Sequence, residues 1–148
     1  MANRDIKIAM SDSAGTNLSG VTKSATFDTA WYSLNGLEYF GFVLDLGAVS
    51  GTSPTLDIDL EFTMDGGTTV FTDFPPAVND ETENITTTNS GISFTQMVTS
   101  DQQTTMYWVN PFPNDNNIKI RLECTIAGSS PTFLIDNWYL VARRYGKY

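Results

Sequence analysis

Apolar residues recur at every second position in several separate stretches of this chain. Ile6, Ile8 and Met10 open the pattern, and Ser11-Asp12-Ser13-Ala14-Gly15 breaks it. Phe40, Phe42, Leu44 and Leu46 resume it. Leu56, Ile58, Leu60 and Phe62 then alternate with Asp57, Asp59, Glu61 and Thr63. Period two sends successive side chains to opposite faces of a strand, so this last run predicts one apolar face and one acidic or polar face. Residues 21–33 predict one or two short strands. Asp65-Gly66-Gly67 predicts a hairpin turn, with 69–74 as the returning strand. Residues 78–91 are polar and read as a long loop with one edge strand. Residues 92–96 and 105–109 predict further strands, and 110–117 a rigid, proline-containing loop. Residues 118–126 and 132–142 predict a last hairpin, with a bulge at Asp136-Asn137 where the apolar parity changes. No window sustains a helical period.

One phrase occurs twice. Residues 51–59 read Gly-Thr-Ser-Pro-Thr-Leu-Asp-Ile-Asp, and 128–136 read Gly-Ser-Ser-Pro-Thr-Phe-Leu-Ile-Asp. Glycine admits positive φ and proline fixes the chain, so each copy predicts a loop between two strands. Eight or nine short strands at this spacing predict an all-β fold. The expected architecture is an antiparallel two-sheet β-sandwich, jelly-roll-like rather than immunoglobulin-like, in a single domain spanning 1–148.

Composition narrows the chemistry. The chain has no histidine and one cysteine, Cys124, which sits in the alternating run and is expected to be a buried thiol. No internal disulfide, zinc site or histidine-activated nucleophile follows from that inventory. There is no phosphate-binding glycine loop and no cofactor motif, so neither an enzyme nor a cofactor is expected. No apolar run reaches the ~20 residues of a membrane helix, and the N-terminus lacks a signal-peptide pattern.

The net charge of -9 is unevenly spread. All eight Lys and Arg residues fall in 4–23 or 119–147, while thirteen of the seventeen acids lie between 24 and 118. Such an acidic middle repels nucleic acid, which needs clustered cations along a groove. Asp57, Asp59, Glu61 and Asp65 invite a calcium reading. On a flat strand, however, they point side by side and do not wrap an ion, so a solvated face is the expectation and a weak cation site the alternative. Trp31-Tyr32, Tyr107-Trp108 and Trp138-Tyr139 are adjacent aromatic pairs, each expected to place one ring in the core and one outside. Outward rings suit a subunit interface or a sugar platform.

The segment 42–74 contains Leu44-Asp45-Leu46-Gly47, Ser53-Pro54-Thr55-Leu56-Asp57-Ile58 and Met64-Asp65-Gly66-Gly67-Thr68. It resembles small β-sandwich virion proteins of tailed phages, most of all capsid decoration (cement) proteins. That resemblance implies a non-enzymatic virion component on the capsid exterior, made in the host cytoplasm. Its implied partners are the major capsid protein and further copies of itself, as a homotrimer. The basic ends on an acidic body then suggest the attachment surface: Arg4, Lys7, Arg143, Arg144, Tyr145, Lys147 and Tyr148, with 143–148 as a basic, aromatic tail. The alternatives are a glycan-binding module of a tail or receptor-binding protein, and a tail or head–tail connector protein.

Overall fold

A computed structural model describes residues 5–72, 79–80, 85–87, 91–94 and 102–144. Among these there is no helix. Five short strands, β1 (Asp5–Ala9), β2 (Val21–Lys23), β3 (Phe27–Asp28), β4 (Tyr32–Ser33) and β6 (Asn79–Asp80), accompany β7 (Ile85–Thr87), β8 (Gly91–Phe94) and β9 (Gln102–Val109). Two very long strands organise the rest. β5 (Leu37–Thr63) has 27 residues and β10 (Lys119–Arg144) has 26. They pair antiparallel along their whole length, from Lys119 opposite Thr63 to Arg144 opposite Leu37.

Neither repeated phrase is a loop. Both lie inside the long strands and face each other: Ala127 is opposite Thr55, Ser129 opposite Thr52 and Thr132 opposite Ser50. The expected last hairpin is likewise one uninterrupted strand, because 118–126 and 132–142 each pair with β5 and not with one another.

The physical reason is a matched pair of bulges. Ser53-Pro54 forms the extra residues on β5 opposite Gly128, and Ser130-Pro131 forms those on β10 opposite Gly51. One bulge on each strand cancels the register shift of the other, so the ladder resumes in step. Ser53 and Ser130 share the same left-handed φ of 49°, and Gly51 and Gly128 sit at 106° and 118°. Both strands therefore bend together. The bulge expected at Asp136-Asn137 is present as a register shift between Ile135 and Asn137, with the Asp136 carboxylate lying over Gly47.

The bend divides the sheet into two wings. In the first, residues 37–46 of β5 and 137–144 of β10 are flanked by β9 and β1. In the second, 119–127 of β10 and 55–63 of β5 are flanked by β3 with β4 and by β8. Exchanging β5 with β10, β9 with β3 and β4, and β1 with β8 carries one wing onto the other. The repeated phrase marks the approximate two-fold axis of that exchange.

Buried residues of both wings join in one hydrophobic cluster: Phe40, Phe42, Leu44 and Leu46 with Leu56, Ile58, Leu60, Phe62, Ile120, Leu122, Cys124, Phe133, Ile135, Trp138 and Leu140. Trp108 stacks on Phe40 at 5.5 Å, and Trp138 meets the edge of Phe27 at 6.3 Å. Trp108 and Trp138 are thus both core residues. Burial holds the Cys124 thiol well above its ordinary pKa, in keeping with an inert core residue.

The Asp65-Gly66-Gly67 turn does form, but among the described residues no regular strand returns from it. Phe71 alone bridges back to Phe62, and 73–78 lie outside the described residues. Asp65 explains the tight closure: its carboxylate accepts the Thr69 N–H at 2.8 Å, which lowers its pKa.

Candidate interaction surface

Two charged surfaces follow from this topology. The first is the terminal edge. β1 pairs with the end of β10, so Asp5 stands opposite Arg143 and Ala9 opposite Tyr139. Chain ends 138 residues apart in sequence become neighbours, with an Arg143 Nε to Asp5 Oδ1 hydrogen bond of 3.0 Å. Lys7 and Arg143 occupy the outward face of the first wing, where the Lys7 ammonium lies 4.1 Å from the centre of the Tyr139 ring. Arg144 points to the other face. It borders a cavity of about 280 Å³ lined by Ile6, Ile8, Tyr32, Leu37, Leu140 and Ala142, among others. Of the residues expected to form the attachment surface, Lys7, Arg143 and Arg144 are brought together. Arg4, Tyr145, Lys147 and Tyr148 lie outside the described residues.

The second surface is the acidic face of the other wing. Asp57, Asp59 and Glu61 alternate with buried Leu56, Ile58 and Leu60, as the period-two pattern requires. Across the ladder, Asp59 is opposite Glu123 and Glu61 opposite Arg121, while Glu123 is also opposite Asp28 on β3. Arg121 is the cation that holds this cluster. Its Nε donates to Glu61 at 2.6 Å, its Nη1 lies 3.5 Å from Asp28, and its guanidinium lies 4.5 Å over the Trp31 ring. Glu61 is only 6% exposed, so this ion pair is largely shielded from solvent.

Crowding perturbs the acids. Glu123 has its pKa raised first by a hydrogen bond shared with Glu61, then by burial and by the charges of Glu61, Asp28 and Asp59. Asp59 is raised by burial, then by Asp57 and Glu61. A carboxyl whose folded pKa lies above its unfolded value binds more protons when folded, so stability falls as pH rises through that interval. The interval begins near the ordinary values of 3.8 for Asp59 and 4.5 for Glu123 and extends upward. The melting temperature is therefore expected to rise when neutral buffer is exchanged for mildly acid buffer. Glu123→Gln should remove part of that rise and stabilise the neutral protein; a pH profile unchanged by the substitution would count against the shared proton.

The calcium reading gains no geometry. Asp57, Asp59 and Glu61 stay in a row along the strand, and Asp65 is tied into its own turn through Thr69 and Thr63. Among the described residues, no group of three acidic, thiol or imidazole side chains is arranged to hold a metal ion. The aromatic platform fares similarly: Trp31 is capped by Arg121 and Tyr139 by Lys7.

Arg121, Glu123, Asp28 and Trp31 were not singled out from the sequence as one cluster. Parity carried part of the signal, because Arg121 and Glu123 fall on the polar positions of the alternating run 118–126. Their juxtaposition with Glu61 and Asp59 depends on the β5–β10 register. Comparison of the chain with family models, with curated proteins and with solved structures finds no match.

Proposed function

We propose that this chain is a non-enzymatic structural protein of a tailed-phage virion that decorates and stabilises the capsid exterior. In this reading the two wings close as a two-sheet, jelly-roll-like sandwich around their common core. The segregation of charge carries the reading. Lys7, Arg143 and Arg144 gather on the edge where the chain ends meet, and Asp28, Asp57, Asp59, Glu61 and Glu123 gather on the polar face of the other wing. A protein with one basic edge and one acidic face docks in one orientation on an acidic particle surface and presents its acids to solvent, which keeps it soluble before assembly. The partners are the major capsid protein and further copies of the chain. The glycan-binding alternative has less support, because cations cover the Trp31 and Tyr139 rings.

Co-sedimentation with undecorated heads of its own virus tests the proposal. Arg144→Glu combined with removal of residues 145–148 leaves the β1–β10 pairing in place. It is expected to weaken attachment by about tenfold or more at low salt, with a smaller difference at high salt. Equal occupancy by the wild type and this variant would overturn the assignment of the basic edge. Failure of the wild type to pellet at all would overturn the virion reading.

A further inference from the structure

The turn at residues 34–37 carries the one asparagine of this chain that is followed by glycine, Asn35-Gly36. An asparagine side chain has the length to close a five-membered ring on the next backbone nitrogen. Glycine has no Cβ to obstruct that approach. Asn35 is exposed, and its side-chain amide has no hydrogen-bond partner among the described residues. The electrophilic carbon is therefore open to water, and the backbone around it decides whether it reacts.

The folded backbone withholds the nucleophile. The Leu37 N–H donates to the Leu34 carbonyl at 3.1 Å, and Gly36, at φ of 78°, takes the third position of a type II turn. Such a turn holds ψ of the preceding residue at about +120°, whereas the five-membered ring needs ψ of the opposite sign. The Gly36 N–H, whose nitrogen would have to attack, donates to the Pro113 carbonyl at 2.8 Å. Leu34 and Leu37 are buried on either side, and the Asn110 amide donates to the carbonyl of each. Ring closure therefore requires the turn to open and Gly36 to leave Pro113. Such a local opening does not require the sheet to unfold.

We propose that Asn35-Gly36 is a self-modification site, gated by the 34–37 turn and its Asn110 clamp. When the turn opens, the Gly36 nitrogen loses its proton and attacks Asn35 Cγ. The new N–C bond forms, the bond from Cγ to Nδ2 breaks, and ammonia leaves with the proton. Water then opens the resulting succinimide. Attack at the side-chain carbonyl gives aspartate, and attack at the main-chain carbonyl gives isoaspartate, which carries the chain through its β-carbon. Either product adds one negative charge. Asn35 and Arg144 border the same cavity, so that charge arrives at the terminal edge, beside the cations gathered there. Isoaspartate also lengthens the turn by one backbone carbon, which displaces Gly36 from Pro113. Water is the only co-reactant, and the site does not depend on the capsid reading.

Peptide mass mapping of the purified full chain, aged at neutral pH, tests the proposal. In urea, conversion of amide to acid should concentrate at Asn35, with isoaspartate among the products. Isoaspartate marks the cyclic route, because direct hydrolysis gives aspartate alone. In the folded protein the conversion is expected to be slower by about tenfold or more, with the Gly36 amide protected from hydrogen exchange. Two variants separate local opening from general instability, because Gly51 lies in the bulge between the wings and Asn110 holds the turn. Asn110→Ala should speed the folded-state conversion by about tenfold or more over the wild type, and well beyond Gly51→Ala. Where Asn110→Ala does not fold, wild type in rising sub-denaturing urea gives the same reading: Asn35 conversion should increase in step with Gly36 exchange. Equal rates in the folded and urea-unfolded chain would overturn the proposal. So would conversion led by another asparagine in urea, or equal acceleration by the two alanine variants.

Discussion

Replacing Gly51 or Gly128 with alanine is expected to destabilise the protein by about 3 kcal/mol or more in each case. Two effects combine. A side chain at φ of 106° or 118° is strained in itself. The added Cβ would also stand 2.7 Å from the Ser130 carbonyl oxygen and 2.8 Å from Pro131 Cα at Gly51, and 2.8 Å from the Ser53 carbonyl oxygen at Gly128. These neighbours are backbone atoms of the opposing bulge, so no side chain can swing aside. The strand pair would have to separate where the two wings join. A loss of this size lowers the melting temperature of a chain this long by roughly 10 °C. Ser53→Gly and Ser130→Gly provide the contrast, since glycine accepts φ of 49° without strain; these should be neutral or slightly stabilising. Thermal or urea denaturation of all four variants checks the prediction. Wild-type stability in both alanine variants would mean that the two phrases do not pack against each other.

Asn110→Ala should have the second-largest effect, again about 3 kcal/mol or more. Asn110 is 3% exposed, and all its side-chain hydrogen-bonding capacity is directed to backbone. Its Nδ2 donates to the carbonyls of Leu34 at 3.0 Å and Leu37 at 2.9 Å, and its Oδ1 accepts the Phe112 N–H at 2.9 Å. Alanine takes away the side-chain partner of the buried Leu37 carbonyl and of the Phe112 N–H, and leaves the Leu34 carbonyl with the Leu37 N–H alone, each lost bond to a buried group costing about 1–3 kcal/mol before relaxation. Asn110→Asp is the sharper variant. It can still accept from Phe112 but places carboxylate oxygens against the two carbonyls, so it should be at least as damaging at neutral pH. Aspartate tolerated as well as asparagine would show that the amide does not hold the 34–37 turn to the 110–117 loop.

Asn110 also shows where sequence reading stops. The chain 110–117 reads as a rigid loop because of Pro111 and Pro113, and that much is local. The sequence does not reveal that one amide in it fastens a turn more than seventy residues away. The acidic face gives the same lesson. Alternation places Asp57, Asp59 and Glu61 on one side of a strand, which is a statement about a single segment. The cross-strand alignment that brings Arg121 to Glu61 and Glu123 to Asp59 is a statement about register.

What the sequence by itself determined is the local grammar: strands wherever apolar residues recur at every second position, the direction in which each side chain points, a buried cysteine, the Asp136 bulge, and the charge asymmetry between ends and middle. These depend on steric and solvation preferences that act within a few residues. Only the tertiary structure decided that the two Gly-x-Ser-Pro phrases are facing bulges and not turns. The same Gly and Pro preferences fit both. The choice depends on whether a second strand lies alongside with a compensating bulge at the same level, and each copy has such a strand only because the other folds against it.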